Sequence, residues 1–144
     1  MIQEITSQSR IRTKVDAKTW QESIRLAGKI LLEHGDIEAT YIDAMIAKVL
    51  EFGQYIVIAP GIAMPHARPE EGVIHTSIAL MTLKEPVVFG HRQNDPVRLI
   101  ICLAAKDNTK HLEALSDIAD IFGDEAKLES ILAERDPKLI YDML

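Results

Sequence analysis

Residues Ala59–Val73 read APGIAMPHARPEEGV. Three prolines (Pro60, Pro65, Pro69) and two glycines (Gly61, Gly72) stop the helical period that runs up to this stretch, and extended runs follow it. On the N-terminal side, Trp20, Ile24, Ala27 and Leu31 recur at helical spacing, with Gly35 as a stop. Tyr41, Met45, Val49 and Phe52 mark a second amphipathic helix closed by Gly53. At the stretch itself and beyond it, Ile56–Ala59, Thr76–Thr82 and Val97–Ala104 are short apolar runs bounded by Pro, Gly, Asn and Asp, the pattern of strands. Ile11–Val15 adds a candidate edge strand. After Asp107 and Asn108 the helical period returns, with His111, Leu115, Ile118 and Phe122 on one face. Asp124 opens a further helix, and Asp136-Pro137 caps a last short one. Two helices, then strands, then helices in one chain without repeats or linkers predict an α/β fold. It is a single-domain sandwich over residues 1–144, with a mixed central sheet flanked by helices.

Composition narrows the function. A chain of 144 residues can bury an ordinary core, and 47% hydrophobic with 26% charged residues describes a soluble globular protein. The net charge of −6, with no basic patch interleaved with aromatics, argues against nucleic acid as a partner and is compatible with docking a basic protein surface. The single Cys102 excludes an internal disulfide and fits a reducing, cytoplasmic setting. No signal peptide is evident, and no apolar run reaches the ~20 residues needed to cross a bilayer, so direct membrane insertion is not expected.

No G-x-G-x-x-G, Walker lysine or G-x-S-x-G elbow occurs, and no cofactor is implied. His66, His75 and His91 lie too far apart for a metal-ligand pair, so no metal is expected. What remains is His66, held between prolines. Pro65 fixes its own φ and biases Met64 toward extended backbone, and Pro69 does the same to Arg68. A lone histidine in a loop is most simply a turn hydrogen bond. The Pro-His-Ala-Arg-Pro frame favours the other reading, a nucleophilic imidazole aimed with little entropy left to lose, as phosphoryl transfer needs.

The segments GIAMPHARPEEGV (Gly61–Val73), NDPVRLIICLAAKD (Asn94–Asp107) and HLEALSDIADIF (His111–Phe122) resemble the mannitol/fructose-type enzyme IIA family of the bacterial phosphotransferase system. Its pattern is Gly-Ile-Ala-x-Pro-His, a strand pair, then His-Leu-x-x-Leu, and it covers nearly the whole chain. The run from Thr19 to Val73, including Phe-Gly-x-Tyr and Ile-Ala-Pro-Gly, is most similar to the ascorbate-type subgroup. The resemblance implies the mannitol-type IIA fold and a phosphocarrier role. His66 would accept a phosphoryl group from the histidine-containing phosphocarrier protein and pass it to a cysteine of a cognate IIB protein, with a IIC permease downstream and ascorbate as the expected sugar. The alternatives are a fructose- or mannitol-type IIA, or a IIA-like domain whose phosphorylation controls another protein.

His111 matches the family's second histidine and would stabilise the phosphate, the competing role being a core-edge histidine. Ser116 matches a serine five residues on, though that offset is ~140° around a helix. Mannitol and fructose relatives carry an arginine about sixteen residues before the histidine, where this chain has Leu50-Glu51-Phe52. Arg68 is the nearest candidate substitute, otherwise a solvated loop arginine. His34 and His91 read as surface residues, His75 as structural, Cys102 as a buried small hydrophobe, and Glu70 and Glu71 as a solvated turn facing water or a basic partner.

Overall fold

The computed structural model describes residues 1–144. In chain order the elements are β1 (Ile11–Val15), α1 (Trp20–Glu33), α2 (Ala39–Phe52), β2 (Val57–Ala59), β3 (Ile62–Ala63), β4 (Ser77–Val87), β5 (Val97–Ala104), α3 (Asn108–Phe122), α4 (Glu125–Ala133) and α5 (Pro137–Met143). The strands form one mixed sheet in the order β1-β4-β5-β3-β2, with β4–β5 and β2–β3 antiparallel and β1–β4 and β3–β5 parallel. The expected sandwich is present.

Why the central strands read as unbroken apolar runs is visible in how their residues divide. Ile100, Cys102 and Ala104 of β5, with Ala79 and Met81 of β4, pack under α1 and α2. Leu99, Ile101 and Leu103, with Ile78 and Leu80, pack under α3, α4 and α5. A strand covered on both faces has no polar side to alternate with. The helix starts follow the sequence signals: Thr19, Asp107, Asp124 and Asp136 each accept a backbone N–H of the first turn through the side chain. Gly35 and Gly53, just past α1 and α2, take positive φ, as a helix stop of this kind requires.

Three differences from the sequence expectation have physical causes. β3 lies inside the stretch taken as loop, because two residues carry no readable period; Gly61, at φ 77°, makes the turn that folds it back on β2. β4 continues past Thr82 to Val87, through exposed Lys84, Glu85 and Pro86, where the register with β5 breaks and a proline costs no ladder bond. Phe52 is 63% exposed and outside the core. It sits at the last turn of α2, beyond the part that faces the sheet.

The segment after β3 is fastened to the start of α2. Glu38 donates its N–H to the Gly72 carbonyl (2.8 Å), and Ile37 bridges Val73. A Cβ on Gly72, whose φ is 133°, would stand 3.1–3.2 Å from Thr40 and Tyr41, so this close approach needs glycine. Asp36, buried in the same corner, takes two hydrogen bonds from Arg10 at 2.7 and 3.1 Å, and its carbonyl accepts the N–H groups of Ile74 and His75. Both ends of the Pro-rich stretch are thereby pinned, β3 in the sheet and Gly72–His75 against α2.

Candidate active site

His66 follows β3, at the carboxyl end of two parallel strands, and β5 beside it leads into the start of α3. Crevices outside the carboxyl ends of strands are the usual ligand position in α/β sheets. Here the crevice is a cleft of about 310 Å³ lined by Lys48 and Phe52 from the end of α2, Tyr55 from the turn after it, the loop at His66–Pro69, and His111 with its neighbours at the head of α3.

The imidazole of His66 is fixed on one side. Its Nδ1 lies 2.8 Å from the Met64 carbonyl oxygen. A carbonyl only accepts, so Nδ1 carries the hydrogen and Nε2 is left with a free lone pair. Burial holds the His66 pKa below the ordinary histidine value; the Met64 carbonyl works against that and the charge of His111 works with it. The ring is therefore neutral at pH 7 and nucleophilic at Nε2. Tyr55 meets it edge-on at 5.8 Å between centroids, and the His111 ring lies 5.2 Å away, inclined at 46°. His111 is half-buried in the first turn of α3, where Asp107 already caps the Lys110 N–H at 2.8 Å. Other first-turn N–H groups of that helix remain as donors for an anion.

Tyr41 was not foreseen as part of this arrangement; by period it reads as core, and it is fully buried. Its hydroxyl accepts the Ala67 N–H at 2.9 Å and donates to the Leu103 carbonyl at 2.8 Å, tying the histidine loop to β5. The Leu103 N–H in turn donates to the Pro65 carbonyl (3.0 Å). Tyr41→Phe should leave the Ala67 N–H without a partner and cost about 1–2 kcal/mol, measurable as a lower urea midpoint. An unchanged midpoint would show that the loop is held without this hydroxyl.

The sequence candidates divide as follows. His66, His111 and Arg68 all line the cleft, Arg68 as an exposed residue at its rim. Ser116 does not; it lies on the exposed face of α3, as an offset of about 140° from His111 requires. His75 is exposed and away from the cleft, a solvent-facing residue and not a structural one. His34 and His91 are half-buried and hydrogen-bonded, His34 to the Ile30 carbonyl and Ser9 Oγ, His91 to the Asn94 N–H. Cys102 is buried as expected, its thiol pushed up to about 12. Glu71 is no free turn residue, because its Oε1 pairs with Lys48 Nζ at 3.4 Å. Lys48, missed in the sequence, lies seven residues after Tyr41, on the same helical face, and that spacing was the available signal.

A family model described as phosphoenolpyruvate-dependent sugar phosphotransferase system, EIIA 2, matches residues 4–144. The ascorbate-specific PTS system EIIA component of Salmonella choleraesuis (strain SC-B67) is 40% identical over 141 residues, covering 97% of this chain and 92% of that one. The mannitol-specific cryptic phosphotransferase enzyme IIA CmtB from Escherichia coli superposes with a TM-score of 0.87 at 33% identity, over 99% of this chain and 97% of that one. The IIA of a complex of enzyme IIAMTL with phosphorylated enzyme IIBMTL from Escherichia coli gives 0.77 at 26% identity, over 94% of each. With a family match across nearly its whole length and a fold shared with solved IIA proteins, the chain belongs to the sugar phosphotransferase system EIIA 2 family and is a IIA phosphotransfer component.

Proposed function

We propose that this IIA component carries the phosphoryl group on Nε2 of His66. The observation that carries the reading is the Nδ1–Met64 hydrogen bond, which leaves Nε2 as the free nucleophile in a cleft shared with His111. The Nε2 lone pair attacks phosphorus of the phosphorylated histidine-containing phosphocarrier protein. The donor's P–N bond breaks, and its electron pair returns to the donor imidazole. Nδ1 keeps its hydrogen, donated to the Met64 carbonyl oxygen, throughout. In the second transfer a cysteine thiolate of IIB attacks the same phosphorus, and the P–Nε2 bond returns its pair to His66. A preset ring and fixed donors supply what such a transfer requires.

The likeness to an ascorbate-specific component supports ascorbate as the sugar handled downstream, by an ascorbate-type IIB and a membrane IIC. The complex of a related IIA with phosphorylated IIB supports a IIB protein as the next acceptor. No helix is long and apolar enough to cross a membrane, which fits a cytoplasmic carrier handing phosphate to membrane-bound partners. The test follows radiolabelled phosphate on the protein. Ascorbate alone should leave the label in place, and an ascorbate-type IIB should remove it. Discharge by mannitol-type IIB in preference to ascorbate-type IIB would overturn the sugar assignment. Discharge by no IIB would point instead to a regulatory domain.

A further inference from the structure

Of the cations in the chain, only Lys48 and Arg68 line the His66 cleft beside its histidines. They are held very differently. Arg68 is exposed at the rim. The Lys48 side chain is 21% exposed, with Nζ 3.4 Å from Glu71 Oε1 and 5.8 Å from the centre of the Phe52 ring. A charge partly withdrawn from water acts more strongly on a neighbouring charge than one at the rim, and a side chain already held has less freedom to lose. Glu71 belongs to the turn Pro69–Glu71, directly after Arg68, and its Oε1 also accepts the Arg68 N–H at 3.2 Å. One oxygen thus serves two donors, and the carboxylate keeps a partner when the lysine leaves.

A phosphoryl group on His66 would bring about −1.5 to −2 charges and three strong acceptor oxygens into this cleft. Against that, a carboxylate oxygen shared between two donors is the weaker partner for an ammonium. We infer that Lys48 is the cation that binds the phosphoryl group on His66, kept in place by Glu71 in the unphosphorylated protein and exchanged from carboxylate to phosphate on transfer. This rests on His66 being the acceptor. It fills the place left by the absent upstream arginine with a residue two positions earlier on the same helix. It also leaves the Glu71 carboxylate with the Arg68 N–H but without its ion-pair partner in the phosphorylated form, at the turn beside the phosphate. The charge of that turn therefore changes with phosphorylation state.

Because the lysine surrenders one ion pair to make another, its net effect is modest, about tenfold. Three single variants and one double variant separate this role from a structural one, each measured by the partition of radiolabelled phosphate between the phosphocarrier protein and this chain. Lys48→Met keeps the stem over Phe52 and should shift the partition about tenfold away from the chain. Lys48→Arg should restore most of it. Glu71→Gln keeps an acceptor for the Arg68 N–H while releasing the lysine, so it should shift the partition toward the phosphorylated chain, and this gain should vanish in the double variant with Lys48→Met. A merely structural ion pair predicts loss from both Lys48→Met and Glu71→Gln. Wild-type partition in Lys48→Met, or a shift away from the chain in Glu71→Gln, overturns the inference while leaving His66 as the acceptor. A wild-type chain that takes no phosphate on His66 overturns the reading beneath it as well.

Discussion

His66→Ala should take up no phosphate at all. Every requirement for the acceptor meets at this one ring: a fixed tautomer, a lone pair open to the cleft, and a pKa that keeps it neutral. Nδ1 is committed to Met64 at 2.8 Å, so no ring flip or tautomer search precedes attack. Intact-mass measurement at neutral or alkaline pH, after incubation with the phosphorylated phosphocarrier protein, should show one acid-labile phosphate on the wild type and none on the variant. Phosphate surviving in His66→Ala would move the acceptor elsewhere, His111 being the next ring in the cleft. The pH dependence of wild-type uptake gives a second check on the same ring. Burial lowers the His66 pKa, so the neutral, nucleophilic form persists as pH falls through about 6.5, where a free imidazole is half protonated. Uptake should therefore hold through pH 6.5 and fall only below it, with donor and chain titrated separately. A midpoint above 6.5 would mean that contact with a charge, and not burial, governs this histidine.

Much of this was legible in the residues, and what was not has a common cause. The sheet announced itself through β4 and β5, whose apolar runs are continuous because both faces are covered by helices. His66 stood out as a candidate through prolines, whose backbone effect is local and needs no partner to be seen. The second cation did not. A search for a replacement near the histidine in sequence finds Arg68, whereas the cleft receives its shielded cation from α2, eighteen residues earlier, through a helical face that also carries Tyr41 and Phe52. Tyr41 was hidden by its own burial. A tyrosine at a core position reads as a hydrophobe, and only the tertiary fold reveals that its hydroxyl joins the Ala67 N–H to the Leu103 carbonyl. Phe52 misled in the opposite direction: it continues the apolar period of α2 by one turn, but that turn has no sheet left beneath it. Ser116 matched the family motif, but its five-residue offset already set it ~140° from His111, and it lies on the exposed face of α3.

His111→Ala should still be phosphorylated on His66, but more slowly, and should pass the group on more slowly too. The centre of the His111 ring stands 5.2 Å from that of His66 in the same cleft, a separation at which a ring N–H can reach oxygens of a group on Nε2. It lies in the first turn of α3, where unpaired backbone donors and the helix dipole already favour an anion. Long side chains on a helix lean back toward its N-terminus, which brings the ring N–H and those donors to one spot. A hydrogen bond to a charged group contributes about 1.5–3 kcal/mol, and if it is made mainly in the transition state its loss slows transfer roughly ten- to hundred-fold. Such a loss should appear in both directions, because the same oxygens pass through the same site whether phosphate arrives or leaves. His111 is only partly buried and lines the cleft, so unfolding midpoints of variant and wild type should nearly coincide. His111→Gln, which keeps an N–H near the same place, should recover part of the rate. Rapid-quench measurement of uptake from the phosphocarrier protein and discharge to IIB distinguishes the cases. Wild-type rates in both directions would reduce His111 to a residue that closes the edge of the sheet, and the stabilisation of the phosphoryl group would then fall to Lys48 and the backbone of α3.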